Sequence, residues 1–272
     1  MPEGKATAAS LHHVLSEGRG PIGLLLVHAL GADLRMWEDF TRVWDRPEPV
    51  LACDLRNAGR SPTTGTPVTP AEHAQDLDAL RRACGLEAVV VVGCAIGAMV
   101  AAVYAASYPT ATAGLVLTNP AFRTTPSART MLAERATLVR RDGMAALLPG
   151  AVERAFLAQP HDARYDLYME RFAAQDAEAY ALSCLAVLDT DIAADLGRIR
   201  CPSLLVAGAH DTLLPPAIAR EMHDLLPGSQ LVLDEAAAHF IPYQNPRGFR
   251  DRVSDFLDRD VPPALASSRS IS

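Results

Sequence analysis

Short apolar runs alternate with helix-type patterns from Gly23 onward, at residues 23–28, 49–54, 88–92, 114–118, 203–207 and 230–233. They are continuous Val, Leu and Ala stretches rather than strict apolar–polar alternation, the pattern of strands covered on both faces. With helical segments between them, they predict an α/β fold built on a mostly parallel sheet with crossover helices. Thr69-Pro70-Ala71-Glu72 places a hydroxyl at a cap, Pro in the first turn and Glu three residues after the cap. A helix is predicted from there to about Cys84, where Gly85 stops it. After Gly97, residues 98–106 are almost wholly small and apolar, as a central helix without a solvent face requires. The strand rhythm breaks between 122 and 195, which reads as four or five helices punctuated by Gly143, Pro149 and Pro160. An insertion of that length predicts a helical lid that selects substrate. The expected organisation is a core of residues 1–121 and 196–260, a lid at 122–195 and a flexible Pro/Ala/Ser-rich tail at 261–272.

Composition narrows the partners. The 272 residues carry 25 Lys and Arg against 32 Asp and Glu, a net charge of −7, which argues against a nucleic-acid binder. A content of 49% apolar and 21% charged residues is that of a globular chain and excludes a disordered one. No apolar run approaches the roughly 18 residues of a spanning helix, so no membrane partner is expected. The first ten residues lack the basic and apolar regions of a secretory leader, so a cytoplasmic location is expected. Five scattered cysteines, Cys53, Cys84, Cys94, Cys184 and Cys201, form no C-x-x-C pair and fit free thiols in a reducing compartment. Without H-E-x-x-H or a His/Cys cluster, no catalytic metal is expected. The partner is expected to be a small-molecule substrate, and nothing in the pattern bears on oligomeric state.

The run at 89–92 leads at once into Gly93-Cys94-Ala95-Ile96-Gly97 and an apolar helix. This is the context of a nucleophile elbow, G-x-S-x-G, whose glycines let a strained turn fit between strand and helix. Ala95 holds the nucleophile position and has no hydroxyl to activate. Cys94 offers a thiol, but glycines at minus one and plus three put it off the elbow tip, and a small packing residue is the plainer reading. Residues 203–211 read as a strand ending at Asp211, and 231–239 as a strand followed by His239. In the chain order nucleophile, acid, base, Asp211 would hold the imidazole tautomer while His239 takes a proton. Each has an ordinary alternative: Asp211 capping a helix after Pro215, and His239 as a satisfied core histidine. Asp234 and Glu235 are nearer in sequence and rank below Asp211. His210 is read as a loop neighbour of the acid, and His12, His13, His73, His161 and His223 are expected at the surface. The N–H groups of Leu30, after the first predicted strand, and of Ile96 are the candidate oxyanion donors. Trp37, Arg123 and Cys94 are the candidate substrate contacts. Arg123, with Arg129 and Arg135, lies near the lid entrance, where an arginine either pairs a carboxylate bidentately or stays solvated.

With these residues assembled, the chain resembles the α/β-hydrolase superfamily, and within it the 3-oxoadipate enol-lactonase group, over about residues 23–257. The resemblance is carried by residues 30–37, 54–61, 93–97, 141–146, 191–199 and 207–211 and by Ala238-His239. It implies hydrolysis of a small lactone or ester without a cofactor. The chain departs from the usual pattern at Ala29, at Asn57-Ala58, at Ala95 and at Ala98. Three expectations follow. One is a lactonase or esterase with Ala95 in place of serine. Another is a lyase, isomerase or cofactor-free oxygenase using His239 and Asp211 as a base dyad. The third is a non-catalytic ligand-binding member.

Overall fold

The computed structural model describes residues 11–20 and 22–261. Residues 1–10, read above for a leader, and 262–272 of the expected tail lie outside the described residues. The strands are β1 (His13–Leu15), β2 (Ile22–Val27), β3 (Val50–Cys53), β4 (Ala88–Cys94), β5 (Thr112–Thr118), β6 (Ser203–Gly208) and β7 (Gln230–Asp234). They form one sheet in the order β1-β3-β2-β4-β5-β6-β7, with β1 antiparallel to β3 and every other pair parallel. All six apolar runs are strands. The additional β1 has three exposed residues and no buried face to mark it in the sequence. Its pairing with β3, His13 opposite Cys53, is what makes it a strand.

The helices are α1 (Glu38–Val43), α2 (Pro70–Ala83) and α3 (Ile96–Ser107), then α4 (Pro126–Asp142), α5 (Gly150–Ala155), α6 (Ala163–Ala173), α7 (Ala177–Leu185) and α8 (Ala193–Leu196) between β5 and β6, and finally α9 (Pro216–Leu225), α10 (Ile241–Gln244) and α11 (Pro246–Asp260). Alternate strand residues feed two cores, because successive side chains point to opposite sheet faces. Leu24, Leu26, Val90 and Val92 pack with Phe40 of α1, Phe249 and Val253 of α11 and the insertion α4–α7. Leu25, Val27, Val89 and Val91 pack with Leu77 of α2, the alanines of α3 and Met222 of α9.

The local signals act as expected. Thr69 Oγ1 accepts from the N–H of Glu72, and the Glu72 carboxylate accepts from the N–H of Thr69 at 2.8 Å, which satisfies two otherwise unpaired donors at the start of α2. Helix α3 buries nine of its twelve residues, so its small side chains serve close packing on the sheet. The surface expectation fails for His73, which is buried. Pro70, His73, Ala74, Leu77 and Leu80 form the inward stripe of α2, and helical spacing puts the histidine inside. Burial pushes its pKa down to about 3, with the Arg56 charge adding to the effect. His12 and His223 are half-buried, bonded to Asp54 at 3.0 Å and Ser229 at 2.7 Å, while His13 and His161 are exposed. No helix among the described residues is long and apolar enough to cross a membrane.

Candidate active site

At the carboxyl end of β4 the chain turns sharply into α3 through Ala95, at φ 53° and ψ −113°. This is a strained conformation for a residue with a Cβ. The turn is held by the Ala95 N–H donating to Thr118 O at 3.0 Å and by Ala98 N–H donating to Ala95 O at 3.0 Å. Its glycines are required by close approach. A Cβ on Gly93 would strike the backbone of Gly97 and Ala98, and one on Gly97 would strike the carbonyls of Val27 and His28. The elbow can therefore form only where helix and strand touch through bare backbone.

Asp211 follows β6 and His239 follows β7. Their side chains meet through Nδ1 and Oδ2 at 2.7 Å, both buried. The other oxygen, Oδ1, accepts from the N–H groups of Leu213 at 2.8 Å and Leu214 at 3.0 Å, which orients the carboxylate. Asp211 does not cap the following helix, whose cap position is Pro215. With Nδ1 engaged, Nε2 is the free ring nitrogen. The backbone of His239 is tied to the insertion by its N–H donating to Ala155 O at 3.2 Å. Asp234 is committed elsewhere, to Arg252 at 3.0 Å.

His239, Ala95, Leu30 and Ile96 line one cavity of about 130 Å³. Its walls are mostly apolar, and α4 to α7 contribute Leu132, Val152, Phe172 and Tyr180 among others. The N–H groups of Leu30 and Ile96 have no acceptor among the described residues, which leaves two donors unengaged at this cavity. The Phe240 ring lies edge-on against the imidazole, with ring centroids 4.7 Å apart, and gives it an apolar neighbour at the cavity wall. Among the described residues no group of three His, Cys, Asp or Glu side chains is placed to hold a metal ion.

A family model described as the α/β hydrolase fold matches residues 23–246. The chain belongs to the α/β-hydrolase fold family. Among similar hydrolase-fold proteins is one named "Putative carbamate hydrolase RutD" from Escherichia coli O127:H6, 29% identical over 238 residues that cover 83% of this chain and 87% of that protein. The solved enol-lactonase from Burkholderia xenovorans LB400 superposes with a TM-score of 0.84 at 26% identity, over 91% of this chain and 96% of that one. A thermophilic esterase from Thermogutta terrifontis shares the fold with a TM-score of 0.82 at 24% identity, covering 93% and 95%.

Two expected substrate contacts of this hydrolase-fold chain lie elsewhere. Trp37 is fully buried beside Phe40, with ring centroids 6.1 Å apart, and is absent from the cavity wall. Cys94 is also fully buried off the cavity, its Sγ 3.9 Å from His239 O, and burial pushes its thiol up to about 12. It is a strand-end residue whose side chain points into the core, and its desolvated thiol is no nucleophile near neutral pH. Arg123 does line the cavity, but its guanidinium pairs with Glu221 at 2.9 Å on the surface.

Asn119 was not legible as a site residue. Directly after β5 at φ 42°, its Nδ2 donates to Ala238 O at 2.7 Å and His239 O at 2.6 Å, and its Oδ1 accepts from Gly208 N–H at 2.7 Å. One amide thus joins the ends of β5 and β6 to the His239 loop. The only hint in the sequence is a polar pair, Thr118-Asn119, closing an apolar run.

Proposed function

We propose that the protein hydrolyses a small ester or lactone by general-base catalysis, without an acyl-enzyme. What carries the reading is the 2.7 Å pair of His239 and Asp211 at the wall of a mostly apolar cavity that also presents the methyl of Ala95. Nε2 of His239 takes a proton from water as the oxygen adds to the substrate carbonyl, and Asp211 stabilises the imidazolium. The developing oxyanion is held by the N–H groups of Leu30 and Ile96. Collapse breaks the bond to the leaving oxygen, which recovers the proton from Nε2. The helical insertion acts as the lid in this reading, since α4 to α7 supply much of the wall.

Size and relatives support this substrate class. A cavity near 150 Å³ accommodates about a benzene ring, so 130 Å³ admits a compact ring or short acyl chain. Similarity to an enol-lactonase and to a protein named for carbamate hydrolysis favours a carbonyl compound with an oxygen or nitrogen leaving group. Removing the serine from a Ser-His-Asp enzyme lowers turnover by up to about 10⁶ and leaves about 10³ to 10⁴ over water. Turnover by this protein is accordingly expected to be slow.

The test compares the natural protein, Ala95→Ser and His239→Ala on a panel of aryl esters and five-membered lactones. Slow hydrolysis that disappears in His239→Ala and rises in Ala95→Ser is expected. A background rate in the natural protein would end this reading, even if Ala95→Ser is active through an acyl-enzyme. The missing hydroxyl also favours a second reading, in which the same dyad removes an acidic substrate proton and the amides hold the enolate. There, activity on a carbon acid would survive Ala95→Ser and vanish in His239→Ala.

A further inference from the structure

The three arginines near the insertion have different fates. Arg123 pairs with Glu221 and Arg129 with Asp189, each at 2.9 Å and on the surface. Arg135, on α4, forms no ion pair among the described residues. Its Nη2 is buried with no hydrogen-bond partner, and its Nη1 reaches only the Tyr180 hydroxyl, at 3.5 Å. Its neighbours one turn away on α4 are Met131, Leu132, Leu138 and Val139, all apolar; of the carboxylates on this helix, Glu134 is exposed and Asp142 pairs with Arg141, so neither partners Arg135. The cavity that Arg135 lines has no Asp or Glu in its wall.

A guanidinium stays charged at any physiological pH. Placed in an apolar wall with a desolvated, unpaired nitrogen, it is destabilising until an anion meets it. Resting on the reading of this cavity as the substrate site, we propose that Arg135 is its anion subsite and that the substrate carries a carboxylate besides the reacting carbonyl. Nη2 donates to one carboxylate oxygen, and Nη1, whose contact with Tyr180 is long, swings to the other. The planar fork matches the two oxygens of a carboxylate, and a compact carboxylate suits a space of 130 Å³. Binding then fixes one end of the substrate, so its carbonyl is presented to His239 in one orientation.

The experiment uses two unreactive probes, cyclopentanecarboxylate and its neutral isostere cyclopentanecarboxamide, titrated calorimetrically into the full chain at pH 7.5. The carboxylate should bind the natural protein about tenfold or more tightly than the amide, as a charge-assisted pair predicts. Arg135→Met should bring the ratio to about one, chiefly by weakening the carboxylate, and Arg135→Lys should keep part of the preference. Equal binding of the two probes, no binding of the carboxylate, or a preference that survives Arg135→Met would each overturn the proposal. If Arg135→Met does not fold, the natural protein and Arg135→Lys still decide it. The preference should persist in His239→Ala. Anion selectivity without any His239-dependent hydrolysis would therefore refute the catalytic reading alone.

Discussion

Replacing Asn119 by alanine removes three short hydrogen bonds at once, to Ala238 O, His239 O and Gly208 N–H. Asn119 is 1% exposed and Ala238 0%, so water does not replace the lost partner without the loop opening. Each bond contributes about 0.5–1.5 kcal/mol net, and each stranded buried group costs about 1–3 kcal/mol. Alanine also tolerates φ 42° less well than asparagine. The expected destabilisation is about 3–6 kcal/mol, a large share of the roughly 5–15 kcal/mol that holds a domain together. Urea unfolding followed by circular dichroism reads it as a lower midpoint at unchanged slope. A second readout reports on the site itself. The proton of the 2.7 Å His239–Asp211 contact should give a far-downfield NMR signal in the natural protein and lose it in the variant, because the His239 loop is no longer tied to β5. A destabilisation below about 1 kcal/mol, with that signal intact, would refute the assignment of Asn119 as the residue that positions the dyad.

Other perturbations probe separate links. Gly97→Ala places a Cβ against the carbonyls of Val27 and His28, which cannot move without breaking the sheet. Thermal unfolding should show a loss of about 3 kcal/mol or more, outweighing the roughly 1 kcal/mol gain in helix propensity; an unchanged or higher Tm would contradict the close approach. His73 is neutral when folded because its pKa is pushed down to about 3. The unfolded chain, titrating near 6.5, takes up a proton first, so this stabilisation is complete above pH 6.5 and declines as pH falls toward 3, by about 1.4 kcal/mol per unit. His73→Phe should flatten that part of the pH–stability curve, and an identical slope in both proteins would show that His73 titrates normally. Asp211→Asn should lower any His239-dependent rate by about 10² to 10⁴, since the imidazolium loses its partner and the tautomer its anchor. Steady-state kinetics would expose a merely structural Asp211 as unchanged turnover with lower stability.

Much of the architecture was written in local patterns. The apolar runs, the Thr69-Glu72 cap and the alanine-rich α3 each depend on neighbours within one turn or one strand, and the sheet follows from six such runs separated by helices. The elbow was legible for the same reason, as its two glycines and Ala95 sit within five consecutive residues. Asp211 and His239 were legible as strand-end residues in a telling chain order. What brings them to 2.7 Å is the parallel pairing of β6 and β7, which carries both loops to one edge.

Other features depended on where distant segments meet. His73 shares the helical spacing of Ala74, Leu77 and Leu80, but a histidine at such a position is read as buried only once that stripe is seen packed inward. Trp37 and Cys94, grouped with the site by their place in motifs, turned into the core because side-chain direction follows from packing rather than from proximity in sequence. Asn119 and Arg135 gained their meaning only in three dimensions, one by finding three backbone partners and the other by finding none for Nη2. By itself the amino-acid order determined the strands, the helices and the turn at Ala95, since these answer to short-range sterics and periodicity. Which polar groups are satisfied and which still await a partner was decided by the tertiary structure alone, because hydrogen bonding and burial are settled between segments far apart in the chain.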